Sequence, residues 1–487
     1  MPELSHRRRM LVLAICCMSL LIVSLDVTVL NVALPSMQQE LHTSVAGMQW
    51  TIDAYTLVLA SLLMLAGSTA DRIGRRKVFT AGLVLFTIGS VLCSLAPDLD
   101  ALIVFRMIQA VGGSMLNPVA MSIITNTFTD PRERARAIGV WGAVVGISMA
   151  AGPLVGGVLV DTVGWRSIFW INLPVGLAAL LLTLRFVPES RAPKPRRPDP
   201  VGQLLVIVLL GSLTYAIIEA PTSGALPTAC FGVIALGALL GLLIYEPRRD
   251  EPLIDLRFFR SVPFSGATVI AVSAFAALSG FLFLSTLYLQ NVRGLDALHA
   301  GLWMLPMAAL CFVCAPISGR LVGSRGPRPS LLIAGVTMTV SGVLFAAFEA
   351  ETSNVTLVVG YVFFGIGFGF VNAPITNTAV SGMPRAQAGV AAAVASTSRQ
   401  IGGTLGVAVI GAALASGIQG SAYRSGFVSA ARPGWWIITA CGLAVLVLGA
   451  LTSGRRARAS AERTARLLES PELQEAAGVR APDRSAA

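Results

Sequence analysis

Four ionisable side chains stand where an apolar chain should exclude them: Asp26 in "LLIVSLDVTVLNVALP", Asp53 in "QWTIDAYTLVLA", Arg106 in "LIVFRMIQAVGG" and Arg399 in "STSRQIGGTLG". An ionised carboxylate facing lipid costs about 2.5–3.5 kcal/mol on insertion scales, so Asp26 is partnered, hydrated or protonated, and each state suits proton-coupled chemistry. On a helical wheel Ser24, Thr28 and Asn31 share one face and Asp26 points roughly the opposite way, so this segment should be enclosed by protein or border a water-filled cavity. At 1.5 Å per residue, Asp26 lies about 12 Å, and Asp53 and Arg106 about 8 Å, below the expected outer surface. Two carboxyls and a guanidinium at one depth could form a proton site. The guanidinium favours the charged carboxylate, whereas burial and a second carboxyl favour the neutral acid. The alternatives are a static buried ion pair that only orders helices, and an Asp53 that is merely interfacial. Arg399, about 18 Å into its helix, is either a substrate or gating contact or a donor to neighbouring carbonyls. Glu219 is expected at the outer interface.

The elements that must hold these groups follow from composition. The 487-residue chain is 55% hydrophobic and 13% charged, with a mean hydropathy of +0.75, which reads as a polytopic membrane protein. Fourteen runs are long enough to span a bilayer, the first at 10–34 and the last at 434–453. Lipid leaves backbone amides no outside partner, and the runs lack the alternation of barrel strands, so the expected fold is all-helical. Of the 36 Lys and Arg, all but six fall at the termini or even-numbered loops; the six are Arg166, Arg293, Arg424 and Arg432 in odd loops and Arg106 and Arg399 inside spans. The positive-inside rule then places both termini in the cytoplasm and explains a net charge of +11 without a nucleic-acid partner. "HRRR" before the first run resembles a signal-peptide start, but the run is too long and no A-x-A site follows, so an uncleaved span is expected. The seven cysteines, including Cys311 and Cys314, lie in apolar helices and read as free thiols; with three histidines near ends or loops, no metal site is expected.

The chain divides into a cytoplasmic N-terminus (1–9), a six-helix bundle (10–187), a Pro- and Arg-rich linker (188–200), two inserted helices (201–246), a second linker (247–262), a second six-helix bundle (263–453) and a polar, part-helical tail (454–487). A faint repeat supports duplication: "GSTADRIGRR" and "GRLVGSRGPR" follow the second span of each bundle. In the first, Gly67, Asp71, Arg72, Gly74, Arg75 and Arg76 suggest a tight turn that locks against another helix end. In "GAVVGISMAAGPLVGGVL", Gly142 with Gly146 and Gly152 with Gly156, four apart around Pro153, permit close helix packing with a bend.

These stretches are similar to those of the major facilitator superfamily, in particular its fourteen-span drug:proton antiporter branch. "GSTADRIGRRKV" resembles the family's loop signature, "RMIQAVGGSMLNP" its fourth-helix signature, "GISMAAGPLVGG" the fifth-helix signature of antiporters, and "LDVTVLNVALP" and "WRSIFWINLPVG" the marks of the branch. The resemblance implies two bundles rocking about a central cavity, with Asp71 engaging a neighbouring helix end in the outward-facing state and Arg106 linked to proton handling. Gly323, standing where the repeat would carry the acid, implies a weaker or different lock in the second half. The expected function is proton-coupled export of apolar or cationic drug-like molecules by a monomer in the cytoplasmic membrane, with the proton as coupling ion and no other cofactor. The runner-up is transport of an endogenous metabolite. A membrane enzyme would need an acid, His or metal cluster, and a sensor would need a sizeable soluble domain; the sequence displays neither.

Overall fold

In the computed structural model, residues 5–192, 199–249, 251–349, 352–381, 383–384, 387–418 and 423–468 are described. The first four residues, part of the first linker and the tail beyond Leu468 therefore lie outside the described residues. Sixteen α-helices make up the described chain: α1 (His6–Glu40), α2 (Val45–Ile73), α3 (Arg75–Ser94), α4 (Leu99–Thr127), α5 (Pro131–Thr162), α6 (Ser167–Trp170), α7 (Asn172–Phe186), α8 (Pro200–Glu219), α9 (Ala225–Tyr245), α10 (Val262–Leu287), α11 (Ala297–Arg325), α12 (Pro327–Ala346), α13 (Asn354–Val380), α14 (Ala388–Ile418), α15 (Tyr423–Leu451) and α16 (Arg455–Leu468). Fourteen spans are long and apolar enough to cross a membrane, α6 and α7 sharing the sixth. The helices overrun the apolar runs: the first expected span, 10–34, sits inside a helix of 35 residues, because the α-helical ladder continues into the polar flanks.

Sequence-local chemistry sets many ends. Asp98 accepts from the Ala101 N–H at 2.8 Å, and Asp130 from Arg132 and Glu133 at 3.0 and 2.9 Å, satisfying donors that a helix start leaves free. The repeated loop carries a repeated turn. Gly74, between α2 and α3, and Gly326, between α11 and α12, occupy matching positions of the repeat and adopt φ of 126° and 79°, where a Cβ is disfavoured.

Helices α1–α7 pack mainly on one another, as do α10–α15, while α8 and α9 pair together and lean on α2 and α14. The first group surrounds a core of Tyr55, Phe79, Phe86 and Leu116. The second is built on aromatics: Phe281 stacks on Phe364 at 3.9 Å between centroids and meets Phe345, Tyr361 and Trp435 edge-on. Helix α16 gives the expected part-helical tail a definite seat, burying Ala457, Ser460, Ala461 and Thr464, with Ser460 Oγ accepting the Val262 N–H at 3.0 Å.

Two seams join the groups, α5 with α11 and α2 with α14. Both close toward the face opposite the chain termini. Asp161 near the end of α5 accepts the N–H groups of Ala297 and Leu298, the first residues of α11, at 3.2 and 2.8 Å. A Cβ on Gly157 would lie 2.5 Å from Leu298 Cα, and one on Gly301 would lie 2.4 Å from the Pro153 carbonyl oxygen. On the other seam Gln49 Nε2 donates to the carbonyls of Val407 and Ala408 at 3.1 and 2.8 Å. Toward the terminal face α5 and α11 part, while Ile401 of α14 still packs on the cluster that holds Leu57 and Ala60 of α2. Gly142 and Gly139 continue the α11-facing stripe of α5 beyond Gly146, yet nothing lies within 4 Å of a Cβ placed on either, nor on Gly319, Gly323 or Gly389. The far face is closed and the terminal face open.

Candidate functional site

Asp26 is not an isolated carboxyl. Its Oδ2 meets Arg106 Nη1 at 2.5 Å, and its Oδ1 accepts from Gln109 Nε2 at 2.8 Å and Asn172 Nδ2 at 2.9 Å. Arg106 Nη1 also donates to Gln109 Oε1 at 2.6 Å, and Gln109 and Asn172 both donate to Ser90 Oγ. The guanidinium lies 4.2 Å from the Tyr55 ring centroid and donates from Nε to the Thr51 carbonyl at 3.4 Å. Asp26 is 3% exposed and Arg106 1%. Helices α1, α2, α3, α4 and α7 thus converge on one dry ion pair with its lone pairs satisfied, the condition under which burying two charges is tolerated. The opposite face of α1 is enclosed as expected: Thr28 Oγ1 donates to the Ser148 carbonyl on α5, while Asn31 bonds its own helix at Val27.

Asp53 does not join this pair. It stands at the expected depth, but Thr51 and Tyr55, which face Arg106, are each two residues away, and two residues turn a helix by about 200°. Asp53 therefore points across α2 to the α14 seam. It is fully buried; Oδ1 accepts from Thr56 Oγ1 at 3.5 Å, and Oδ2 has no hydrogen-bond partner. Thr56 is in turn hydrogen-bonded by Thr404 of α14 at 2.9 Å. The expected triad is a pair and a separate acid. Burial also excludes the merely interfacial Asp53.

Arg399 is held by hydroxyls: Nη1 donates to Ser396 Oγ at 3.2 Å and Nη2 to Thr376 Oγ1 on α13, while the guanidinium carbon lies 6.0 Å from the Phe275 ring centroid on α10. Neither the carbonyl bonding weighed for it nor an ion pair is formed among the described residues. Glu219 ends α8 at the far face, accepting from Trp50 Nε1 at 2.9 Å.

The signature turn locks inside its own group. Asp71 accepts from Arg75 Nε and Nη2 at 3.1 and 2.8 Å, Arg75 N–H reaches the Ser190 carbonyl at 2.9 Å, and Glu189 accepts the Arg76 N–H at 3.1 Å. Arg76 donates to the Leu184 carbonyl at 2.5 Å, and Arg72 is exposed. Gly67 approaches Pro118 of α4, still within the first group. With the terminal face open, Asp71 makes no hydrogen bond or ion pair to the second group among the described residues. The glycine helix also divides its labour: Gly146 packs on Phe312 and Pro153 on Gly301 of α11, whereas Gly152 and Gly156 pack on Thr28 and Val29 of α1, and Gly142 faces open space. Only part of that motif is an interface between groups. Gly157, unmarked by spacing, is a closer seam contact than Gly146.

At the far end of α11, the His299 backbone N–H and ring beside Asp296 hold its carboxyl below the ordinary value. Ser90, Gln109, Asn172, Glu189, Asp161 and the Thr56–Thr404 pair escaped sequence reasoning. Gln109 was reachable, being one helical turn from Arg106; the rest depend on which helices become neighbours.

The fold, the duplicated turn and the buried charged pair define a class, and the chain belongs to the Major Facilitator Superfamily, which it matches over residues 16–407. It is a membrane transporter for small molecules rather than an enzyme. Among its relatives it is 38% identical to the multidrug resistance protein Stp of Mycobacterium tuberculosis H37Rv, over 84% of this chain and 77% of that protein. It is likewise 38% identical to the tetracenomycin C resistance and export protein of Streptomyces glaucescens, over 81% of this chain and 74% of that one. A crystal structure of a bacterial homologue of the human lysosomal transporter Spinster shares the fold at a TM-score of 0.63 and 18% identity, covering 96% of this chain and all of that one.

Proposed function

We propose that this transporter is a proton-coupled antiporter that exports drug-like or antibiotic molecules across the cytoplasmic membrane by alternating access, with both termini in the cytoplasm. The resistance and export proteins among its relatives favour that direction, and the basic loops favour that orientation. The two rocking units are α1–α7 and α10–α15; α8 and α9 stand outside them. In this orientation the open terminal face makes the state inward-facing.

The observation that carries the coupling is the contrast between two buried carboxyls. Asp26 has a cation and two further donor groups, the surroundings of a carboxylate. Among the described residues Asp53 has no cation partner and one weak hydroxyl contact in a closed seam, surroundings in which an ionised carboxylate costs several kcal/mol. The closed seam therefore suits a protonated Asp53. A proton taken from outside while the seam is open lets α2 and α14 close; its loss inward recharges the carboxyl and favours parting of the seam. Each proton crossing 100 mV contributes about 2.3 kcal/mol. The Asp26–Arg106 pair holds α1 and α4 in register through both states.

The test is drug accumulation in cells lacking other pumps, with and without a protonophore, alongside proton movement in inverted vesicles. Expression should lower accumulation only while the proton gradient stands. Asp53→Asn should bind drug yet abolish drug-driven proton movement. Unchanged accumulation across a broad panel would reject drug export, and wild-type proton movement in Asp53→Asn would remove that acid from the coupling step.

A further inference from the structure

Within the fourteen membrane-length spans and away from their ends, the carboxyls among the described residues are Asp26 and Asp53, and both are sealed, at 3% and 0% exposure. Neither offers an oxygen to a ligand in the open cavity. No carboxylate oxygen inside a span is therefore presented to a cationic ligand among the described residues. What does face the cavity is a cation. Thr376, which holds Arg399, is exposed about one turn before α13 ends at Val380. It lies within one face of Gly369, which packs on Cys311 and Cys314 of α11, and not far round from Phe368, which meets Phe275 of α10 at 5.2 Å. Its open surface is therefore the space bounded by α10, α11 and α13, on the side where the two groups have parted. Arg399 projects into the edge of that space from α14, between the Phe275 ring and the Thr376 and Ser396 hydroxyls.

The guanidinium has no carboxylate partner among the described residues, and its Nε makes no hydrogen bond. Hydroxyl acceptors orient it without neutralising it. A fixed, planar, largely buried guanidinium recognises an anion through charge-assisted bonds, and the ring beneath it offers a flat aromatic body a stacking surface. We propose that Arg399, with Phe275 and Thr376, is a substrate subsite that selects planar molecules bearing an acidic group, such as a carboxylate, phenolate or enolate, over cationic ones. The inference rests on the export reading for its physiological meaning, while binding is measured without it.

The experiment compares two xanthene dyes of similar shape and opposite charge, fluorescein and rhodamine 6G, binding to the purified full-length protein in detergent, by fluorescence anisotropy at pH 7.5. The wild type should bind fluorescein at least about tenfold more tightly, the scale of one charge-assisted hydrogen bond. Arg399→Gln should weaken fluorescein about tenfold or more and leave rhodamine 6G unchanged or tighter, with Arg399→Lys falling between. Equal affinity for the two dyes, no binding of fluorescein, or an equal loss of both in Arg399→Gln overturns the proposal. If the purified protein discriminates as expected but cells accumulate every compound normally, the export reading fails and the subsite stands. Export of both dyes irrespective of Arg399 sinks the subsite alone.

Discussion

Arg106→Leu removes the cation from a carboxylate that is 3% exposed. Asp26 keeps the donors of Gln109 and Asn172 but no neutralising charge, and breaking a buried pair from one side costs about 3–5 kcal/mol. Asp26→Asn strands Arg106 instead, with a penalty of the same order. In the double variant no charge is left to strand, and the loss falls to one or two hydrogen bonds, about 1–2 kcal/mol. The double variant should therefore be more stable than Arg106→Leu alone, a coupling of at least about 2 kcal/mol. The assay is thermal inactivation of the four purified proteins in detergent at one heating rate, read as an ordering of half-lives because unfolding of such proteins is seldom reversible. Additive losses, with the double variant the least stable, would refute the view that the pair is a mutual charge compensation. The same four proteins test the division of roles between the two acids. If the pair is organisational, the double variant keeps proton-coupled exchange at a reduced rate; a stable double variant with no coupled exchange would transfer the coupling proton to Asp26.

Gly157→Val places carbon 2.5 Å from Leu298 Cα and 2.9 Å from the Ala297 carbonyl, so the far seam should fail to close; added thiol reagents should label a cysteine introduced at Leu298 faster from outside in that variant than in its absence. Gly74→Ala meets both a φ of 126° and the Glu189 carboxylate at 2.6 Å, and should destabilise the turn by at least about 1 kcal/mol, lowering the half-life on heating, while Gly67→Ala, with 3.8 Å of room to Pro118, should be tolerated.

Much of this protein follows from the chain alone, for one reason: a bilayer imposes rules that act locally. Apolar runs of sufficient length become spans, basic loops choose a side, and a charge placed inside a span is retained for use. Those rules suffice for fourteen helices, the repeated glycine turn and the marking of Asp26, Asp53, Arg106 and Arg399. Depth is also local, since it needs only the rise per residue, and the three charges of the first group do share a level. Azimuth and neighbour are not local. Which face of α2 meets α4 and which meets α14 is decided by the packing of several helices at once, and that packing separates Asp53 from Arg106, gives it Thr56 and Thr404, and leaves Asp26 to Gln109 and Asn172. The same holds for Gly152 and Gly156, whose spacing allows close approach without saying to which helix. It holds for Arg399, whose place between the Phe275 ring and the Thr376 hydroxyl exists only once α10, α13 and α14 have met.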